Sequence, residues 1–184
     1  MRLSVLSVAY PLAPVGPDAA GGSEQILSLL DRRLVRDGHR SVVVACEGSV
    51  TQGTLVPLPR CHGELTPEVH ARAQQQEREL IERALVRWDF DLVHMHSLDF
   101  YRYLPPPGVP VLATLHLPPD WYPEWTFHMD RPGTWLNCVS ATQQACCPAS
   151  ELLLPYVPNG VPVEAMHARV RKRGFALALG RICT

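Results

Sequence analysis

Three histidines stand in or directly after short apolar runs in the middle of the chain. His94 and His96 alternate within residues 92–96, and His116 follows residues 109–115. Alternate residues of a strand point to one face, so the first two should share one side of a sheet. Two prolines after His116 should end its strand and leave the imidazole at the sheet edge. Imidazole exchanges protons near neutral pH, which makes His116 a candidate catalytic residue, with a purely structural histidine as the alternative.

A His-x-His pair can also hold a metal ion. No acidic residue or third histidine stands at a convincing spacing to complete such a site, so we expect no bound metal. The sequence also lacks the motifs of a serine nucleophile elbow, a zinc protease helix and a nucleotide-binding P-loop.

A glycine pair opens the first predicted helix, where Gly21 and Gly22 precede Ser23 and Glu24. Glycine lets a ligand come close to the backbone, and the free N–H groups of a helix N-terminus attract anions. The pair is therefore a candidate diphosphate-binding turn, with a flexible loop that ends in a helix cap as the alternative. The G-x-G-x-x-G pattern of dinucleotide-binding proteins is absent.

Other polar and aromatic side chains follow the remaining apolar runs. Ligands of open parallel sheets bind at the carboxyl ends of the strands. We expect six side chains to line a cleft there, namely Tyr10, Glu24, His96, Trp121, Ser140 and Asn159. Trp121 belongs to a proline- and aromatic-rich loop, residues 118–135. Its aromatic faces suit a sugar or lipid acceptor, with a packed loop or a partner surface as the alternatives.

These residues need elements that bring them to one edge. Short apolar runs alternate with helical patterns, which is typical of a parallel α/β sheet. We therefore predict an α/β fold, a Rossmann-like parallel sheet with helices on both faces. The expected strands are residues 3–9, 41–45, 54–58, 92–96, 109–115, 136–139 and 152–157. The expected helices are residues 23–37, 66–87, 98–104 and 140–147.

The two long predicted helices differ in their apolar stripes. In helix 23–37, four apolar residues between Ile26 and Leu34 share one face, which predicts that this face is buried. In helix 66–87, Gln76 and Glu77 interrupt the apolar stripe. This interruption predicts a more exposed helix.

The chain is predicted to begin a second domain near its end. Residues 158–162 have the composition of a linker, and a basic stretch leads from there to another apolar run at residues 175–179. We expect residues 1–162 to form one domain. Residues 163–184 would be a linker and the first strand of a truncated second domain.

The composition excludes several classes of protein. The formal net charge is −1, which gives no reason to expect a nucleic-acid partner. No apolar run is long enough to span a membrane, which leaves peripheral membrane contact open. The six cysteines form no C-x-x-C pair and no export signal is evident, so we expect reduced thiols in a cytoplasmic protein.

Several short segments together resemble the family 4 glycosyltransferases of the GT-B type. They are residues 21–24 (GGSE), 91–96 (DLVHMH), 114–116 (TLH), 138–142 (CVSAT), 157–162 (VPNGVP) and 179–182 (LGRI). Their order and spacing, which cover nearly the whole chain, carry the resemblance more than any one segment does.

The resemblance implies two Rossmann-like domains that face each other across a cleft, with this chain as the N-terminal, acceptor-side domain. It implies a metal-independent enzyme without a cofactor, which moves a sugar from a nucleotide-diphosphate sugar to a sugar, lipid or small-molecule acceptor with retention. Gly21 and Gly22 would approach the donor diphosphate, Arg181 would contact it, and His116 would lie near the transferred sugar.

On this interpretation the chain comes from a cytoplasmic bacterial transferase and is inactive alone. Two other hypotheses stay open from the sequence. One is an NAD(P)-binding Rossmann oxidoreductase domain, and the other is a non-catalytic α/β binding module.

Overall fold

The computed structural model describes residues 1–61, 63–166, 171 and 174. Over these residues it contains six strands: β1 (Ser4–Val8), β2 (Arg40–Cys46), β3 (Thr54–Leu58), β4 (Leu92–Met95), β5 (Val111–Leu115) and β6 (Thr134–Cys138). The α-helices of the same residues are α1 (Gly22–Arg36), α2 (Pro67–Arg87), α3 (Ala141–Ala145) and α4 (Val163–Met166). Three short 3₁₀ helices lie in the connections, at Phe100–Arg102, Pro119–Trp121 and Glu124–His128.

The six strands pair in parallel in the order β3-β2-β1-β4-β5-β6. Successive strands are added on one side of β1 up to β3, and on the other side from β4 onward. The connections from β1 and from β3 therefore leave the sheet in opposite directions, and a crevice opens between the carboxyl ends of β1 and β4. This order is that of a Rossmann-like sheet and confirms the predicted fold class.

Helices cover both faces of the sheet. Val43 of β2 packs in one buried cluster with Leu27 of α1. Its neighbour Val42 packs in a second cluster with Ile81 of α2. Adjacent residues of β2 are thus buried on opposite faces, which explains why the strand reads as a continuous apolar run.

The buried face of α1 is more polar than the sequence predicts. Leu27 is buried as expected, but Leu30 is 37% exposed and Asp31 is only 1% exposed. Asp31 can be buried because it accepts hydrogen bonds from Ser41 Oγ at 2.7 Å and from the backbone N–H of Gly53 at 3.1 Å. These bonds connect α1 to β2 and to the loop before β3.

The prediction that Glu77 interrupts the buried stripe of α2 is wrong. The helix spans Pro67–Arg87 with Thr66 as its N-cap, as expected. Glu77 is nevertheless fully buried, on one stripe with Ala73, Ile81 and Ala84. The spacing of four residues on either side of position 77 places it on the core-facing stripe, and a carboxyl group that keeps its proton can be buried there.

The predicted strand at residues 152–157 is also wrong. This segment makes a single parallel bridge with β6, between Leu136 and Leu153. The backbone N–H of Leu136 donates to Leu152 O at 2.8 Å, and the N–H of Leu154 donates to Leu136 O at 2.8 Å. The N–H of Tyr156, which is the next one due in the ladder, donates to Gln144 Oε1 instead. The N–H of Val157 donates to Cys138 O at 2.9 Å, so the pairing with β6 is irregular after Leu154.

No helix among the described residues is long and apolar enough to cross a membrane. The predicted strand at residues 175–179 and Arg181 lie outside the described residues.

Candidate functional site

A cavity of about 200 Å³ lies at the carboxyl ends of the central strands. Its walls come from three parts of the chain. They are the first turn of α1 (Ser23, Glu24), the ends of β1 and β4 (Tyr10, His96, Ser97, Leu98) and the segment after β5 (His116, Leu117, Tyr122). We call it the strand-end cavity. Four of the residues predicted from the sequence, Tyr10, Glu24, His96 and His116, meet in it.

Two histidines of this cavity are hydrogen-bonded to each other. His96 Nδ1 lies 3.1 Å from His116 Nε2, and the two rings are stacked with centroids 5.4 Å apart. The bond occupies one nitrogen of each ring. Among the described residues His116 Nδ1 has no hydrogen-bond partner, so this atom is available to a ligand.

A row of hydrogen bonds extends from the histidines across the sheet. Thr114 Oγ1 donates to Asn137 Oδ1 at 2.8 Å and lies 2.7 Å from His94 Nε2. Since the single hydroxyl proton goes to Asn137, His94 Nε2 must be the donor to Thr114. His94 and His96 lie on one face as predicted, with ring centroids 4.0 Å apart.

Burial keeps all three imidazoles neutral. It lowers the pKa of His116 to about 4, and together with the nearby His116 it lowers the pKa of His94 to about 4 as well. Burial, followed by the two neighbouring histidines, places the pKa of His96 well below its ordinary value. Neutral imidazoles can donate and accept hydrogen bonds but carry no charge to attract an anion.

The backbone on either side of His116 is held by one side chain of α3. Gln143 Nε2 donates to Leu115 O and to Leu117 O, both at 2.7 Å. Its Oε1 accepts from the N–H of Val139 at 2.8 Å. Gln143 thereby fixes the end of β5 against the end of β6 and sets the direction in which His116 leaves the sheet.

Tyr122 completes the support of this segment. Its hydroxyl accepts from the N–H of Leu117 at 3.3 Å, and its ring is 4% exposed. Burial raises the pKa of Tyr122 to about 12. The neutral phenol therefore joins the loop 118–135 to the residue directly after His116.

The glycine pair directly precedes Ser23 and Glu24 in the chain but does not itself line the strand-end cavity. Gly22 starts α1, and a Cβ placed on it would meet no atom within 4 Å. A Cβ on Gly21 would lie 1.8 Å from Glu24 Oε2. Glu24 therefore folds back over Gly21, whereas the backbone at Gly22 stays open to a ligand.

A buried acidic network lies behind the cavity. Tyr103 hydroxyl donates to Asp99 Oδ1 at 2.8 Å and is hydrogen-bonded to Ser97 Oγ. Neither oxygen of the buried Glu77 has a hydrogen-bond partner among the described residues. Burial first, and then the charge of Asp99, raise the pKa of Glu77 well above its ordinary value. Glu77 is therefore protonated more readily in the folded protein than in the unfolded chain.

The other predicted site residues lie outside the strand-end cavity. Trp121 is 59% exposed, and its neighbour Tyr122 lines the cavity in its place. Ser140 caps α3 by accepting from the N–H of Gln143 at 3.1 Å. Asn159 lines an adjoining groove of about 180 Å³, where the segment at residues 154–160 faces α1 across His94 and Asn137, and His96 lines both this groove and the strand-end cavity.

Metal ligands are not grouped in the described part of the chain. Among those residues no cluster of three or more His, Cys, Asp or Glu side chains could hold a metal ion.

A parallel α/β sheet in the 3-2-1-4-5-6 order, with polar groups gathered at its switch point, defines a Rossmann-like domain with a candidate ligand site at that point. The sequence matches the family described as Glycosyltransferase Family 4 over residues 20–147, which is more than half of the chain. The chain therefore belongs to glycosyltransferase family 4. A comparison with curated proteins finds no match.

Sequence reasoning missed several residues that shape the site: Ser97, Tyr122, Gln143, Asp99 and Glu77. Ser97 and Tyr122 each adjoin a residue that was singled out, so their positions offered a weak signal. Gln143 and Glu77 carried none, because a glutamine or glutamate on a helix is usually solvated.

Proposed function

We propose that this chain is the acceptor-binding half of a retaining, metal-independent glycosyltransferase that uses a nucleotide-diphosphate sugar. Family membership supports sugar transfer over dinucleotide redox chemistry. The observation that carries the proposal is that His116 and the first turn of α1 line one cavity at the carboxyl ends of the strands. This edge of the sheet is where such folds bind their ligands.

In the proposed reaction the bond between the anomeric carbon and the diphosphate oxygen breaks. The acceptor hydroxyl oxygen bonds to the anomeric carbon on the same face, and its proton passes to the departing diphosphate. The open backbone at Gly22 and the N-terminus of α1 would stabilise the charge that develops on the diphosphate, as preorganised N–H groups do in other transferases. Arg181 would add a positive charge from the second domain.

His116 would hold a hydroxyl of the transferred sugar. Its Nε2 is bonded to His96, so Nδ1 would make that contact. A neutral imidazole suits this role because its nitrogen can donate a hydrogen bond to a sugar hydroxyl or accept one from it.

The test measures the release of nucleoside diphosphate from a panel of nucleotide sugars. It compares the 184-residue chain with a protein in which this chain continues into a donor-binding domain. We expect release only from the longer protein, and an acceptor-dependent rate there. Turnover by the shorter chain alone would contradict the division of roles between two domains.

A further inference from the structure

We propose that the strand-end cavity takes a single neutral, hydroxyl-rich sugar ring, that Glu24 holds this ring, and that the cavity excludes rings that carry a negative charge. The inference rests on the proposed function for the identity of the site. The new part of the proposal is the charge and the size of the ligand that binds in the cavity.

The first observation is a buried carboxylate that has no cation beside it. Glu24 is 6% exposed and lines the cavity. Its Oε2 accepts from Ser23 Oγ at 3.0 Å, and among the described residues Oε1 accepts no hydrogen bond. The lone pairs of this oxygen are therefore free to accept from hydroxyl groups of a bound ring.

The second observation is the charge around the cavity. Among the described residues, neither arginine nor lysine lines it, and burial keeps its two histidines neutral. The pKa of the Tyr10 hydroxyl is raised by burial and further by the charges of Asp99 and Glu24. The potential inside the cavity is therefore negative, and a carboxylate on the bound ring would be repelled.

The third observation is the pairing of polar and flat surfaces. Ser97 and His96 contribute polar groups to the lining, and among the described residues His96 Nε2 is buried without a partner. Leu117 and Tyr122 contribute apolar surface to the lining. A pyranose ring has hydroxyls at its rim and C–H groups on its faces, and aromatic rings pack against such faces.

The size of the cavity limits the ligand to about one ring. Sites for drug-sized molecules have volumes of about 300 to 1,000 Å³. The strand-end cavity has about 200 Å³. It cannot enclose a disaccharide or an acyl chain, although further units could extend out through its opening.

The test measures binding to the 184-residue chain by ligand-observed NMR, with methyl α-glucoside, methyl α-mannoside and methyl α-galactoside as neutral probes. Methyl α-glucuronide has the same ring with a carboxylate and serves as the charged probe. We expect at least one neutral glycoside to bind at least about tenfold more tightly than the glucuronide, which corresponds to about 1.4 kcal/mol. Equal or tighter binding of the glucuronide, or no binding of any neutral probe, overturns the proposal.

Glu24→Gln keeps the shape of the side chain and removes its charge. We expect this variant to bring the affinities for the neutral ring and the glucuronide to within about threefold of each other, because the repulsion is gone. Glu82→Gln changes an exposed glutamate on α2 and should keep the wild-type preference. A wild-type preference in a folded Glu24→Gln variant would remove Glu24 from the proposal.

The ring could belong to the acceptor or to the nucleotide sugar. In a competition experiment, displacement of the methyl glycoside by a nucleotide sugar but not by the free nucleoside diphosphate assigns it to the donor. Simultaneous binding assigns it to the acceptor, and both results support a neutral ring in the cavity. Ring binding is measured without turnover, so failure of the transfer reaction and failure of this proposal are separate outcomes.

Discussion

His96 and His116, which follow neighbouring parallel strands, share a hydrogen bond of 3.1 Å between Nδ1 and Nε2. The bond crosses from the end of β4 to the end of β5, at the edge where Tyr10 and Glu24 also lie. It fixes the rotation of the His116 ring and directs Nδ1 away from His96. If His116 holds a substrate hydroxyl, His96 is the residue that positions it.

The two histidines should therefore act as a unit. In the longer transferase, we expect His116→Ala to lower kcat/KM by about 100-fold and His96→Ala by about tenfold, with the double variant close to His116→Ala alone. The reason is that His96 acts only through the ring that the double variant lacks. Steady-state rates of the wild type and the three variants give the coupling free energy between His96 and His116. His128→Ala, at an exposed histidine, is the matched control, and strictly additive losses would show that the two rings work independently.

Gln143 is predicted to support the same ring through the backbone. In Gln143→Leu, the carbonyl oxygens of Leu115 and Leu117 each lose a hydrogen-bond donor, and the N–H of Val139 loses its acceptor. Because these groups are partly buried, we expect a loss of about 2 to 3 kcal/mol in the free energy of unfolding by urea, together with a lower rate in the transferase. Gln144→Leu removes one acceptor, that of the Tyr156 N–H, and should have a smaller effect on both. Equal stability of the two variants would contradict the role of Gln143.

Asp31 should be among the most important polar residues for stability. It is buried and accepts from Ser41 Oγ, and it also accepts from the N–H groups of Gln52 and Gly53 at 2.5 and 3.1 Å. Asp31→Ala would leave these donors without a partner and should lower the free energy of unfolding by about 2 to 4 kcal/mol. Asp37→Ala breaks an exposed ion pair with Arg33 and should change it by less than about 1 kcal/mol.

Gly53, whose N–H donates to Asp31, tests the same contact between α1, β2 and the loop before β3. A Cβ at this position would lie 2.4 Å from the carbonyl oxygen of Ser41. We therefore expect Gly53→Ala to destabilise the fold, measured by thermal unfolding, by more than the ordinary small effect of a loop substitution. Gly63→Ala is not a suitable control because Gly63 has φ of +91°. Gly16→Ala is suitable, since its nearest contact would be 3.9 Å away.

The histidines also predict the pH dependence of stability. The pKa of His116 falls from 6.5 to about 4 on folding, so between these values the unfolded chain binds more protons than the native protein. The stabilising effect is complete above pH 6.5 and is lost as the pH falls toward 4. The free energy of unfolding should decrease by up to about 1.4 kcal/mol per pH unit for each such histidine. Urea unfolding across this range should show a shallower slope for His116→Asn than for the wild type, and an unchanged slope for His128→Asn.

Glu77 predicts a pH effect of the opposite sign. Its pKa is raised by burial, so the native protein holds a proton that the unfolded chain releases above the ordinary pKa of glutamate. This contribution is present at low pH and is lost as the pH rises through the folded value. Glu77→Gln removes the free-energy cost of keeping a buried carboxyl group protonated above its ordinary pKa. The variant should therefore be more stable than the wild type at neutral and alkaline pH, by up to about 1.4 kcal/mol per pH unit. A variant that is less stable than the wild type at pH 8 would show that Glu77 is held as an ion.

The sequence by itself determined the layered α/β fold and most of its elements. Strands such as β2 and β5 are buried on both faces, so most of their side chains are apolar, and this leaves a nearly continuous run that can be recognised. Thr66 and Pro67 predict the start of α2 correctly, because the Thr66 side chain accepts its capping hydrogen bond from the N–H of Val69, only three residues away. The carboxyl-end rule also predicts that His116 and Glu24 lie at one edge of the sheet, and both line the strand-end cavity.

Only the tertiary structure decided which polar residues are inside. Asp31, Glu77 and Gln143 look solvent-facing in a helical pattern, and their burial depends on partners or neighbours between 4 and 28 residues away. The chain at residues 152–157 has the composition of a strand, but its pairing with β6 becomes irregular after Leu154, because the N–H of Tyr156 donates to Gln144 of α3. Hydrophobic periodicity records how often apolar side chains recur, whereas the burial of a polar group is decided by the donors and acceptors that the fold brings to it.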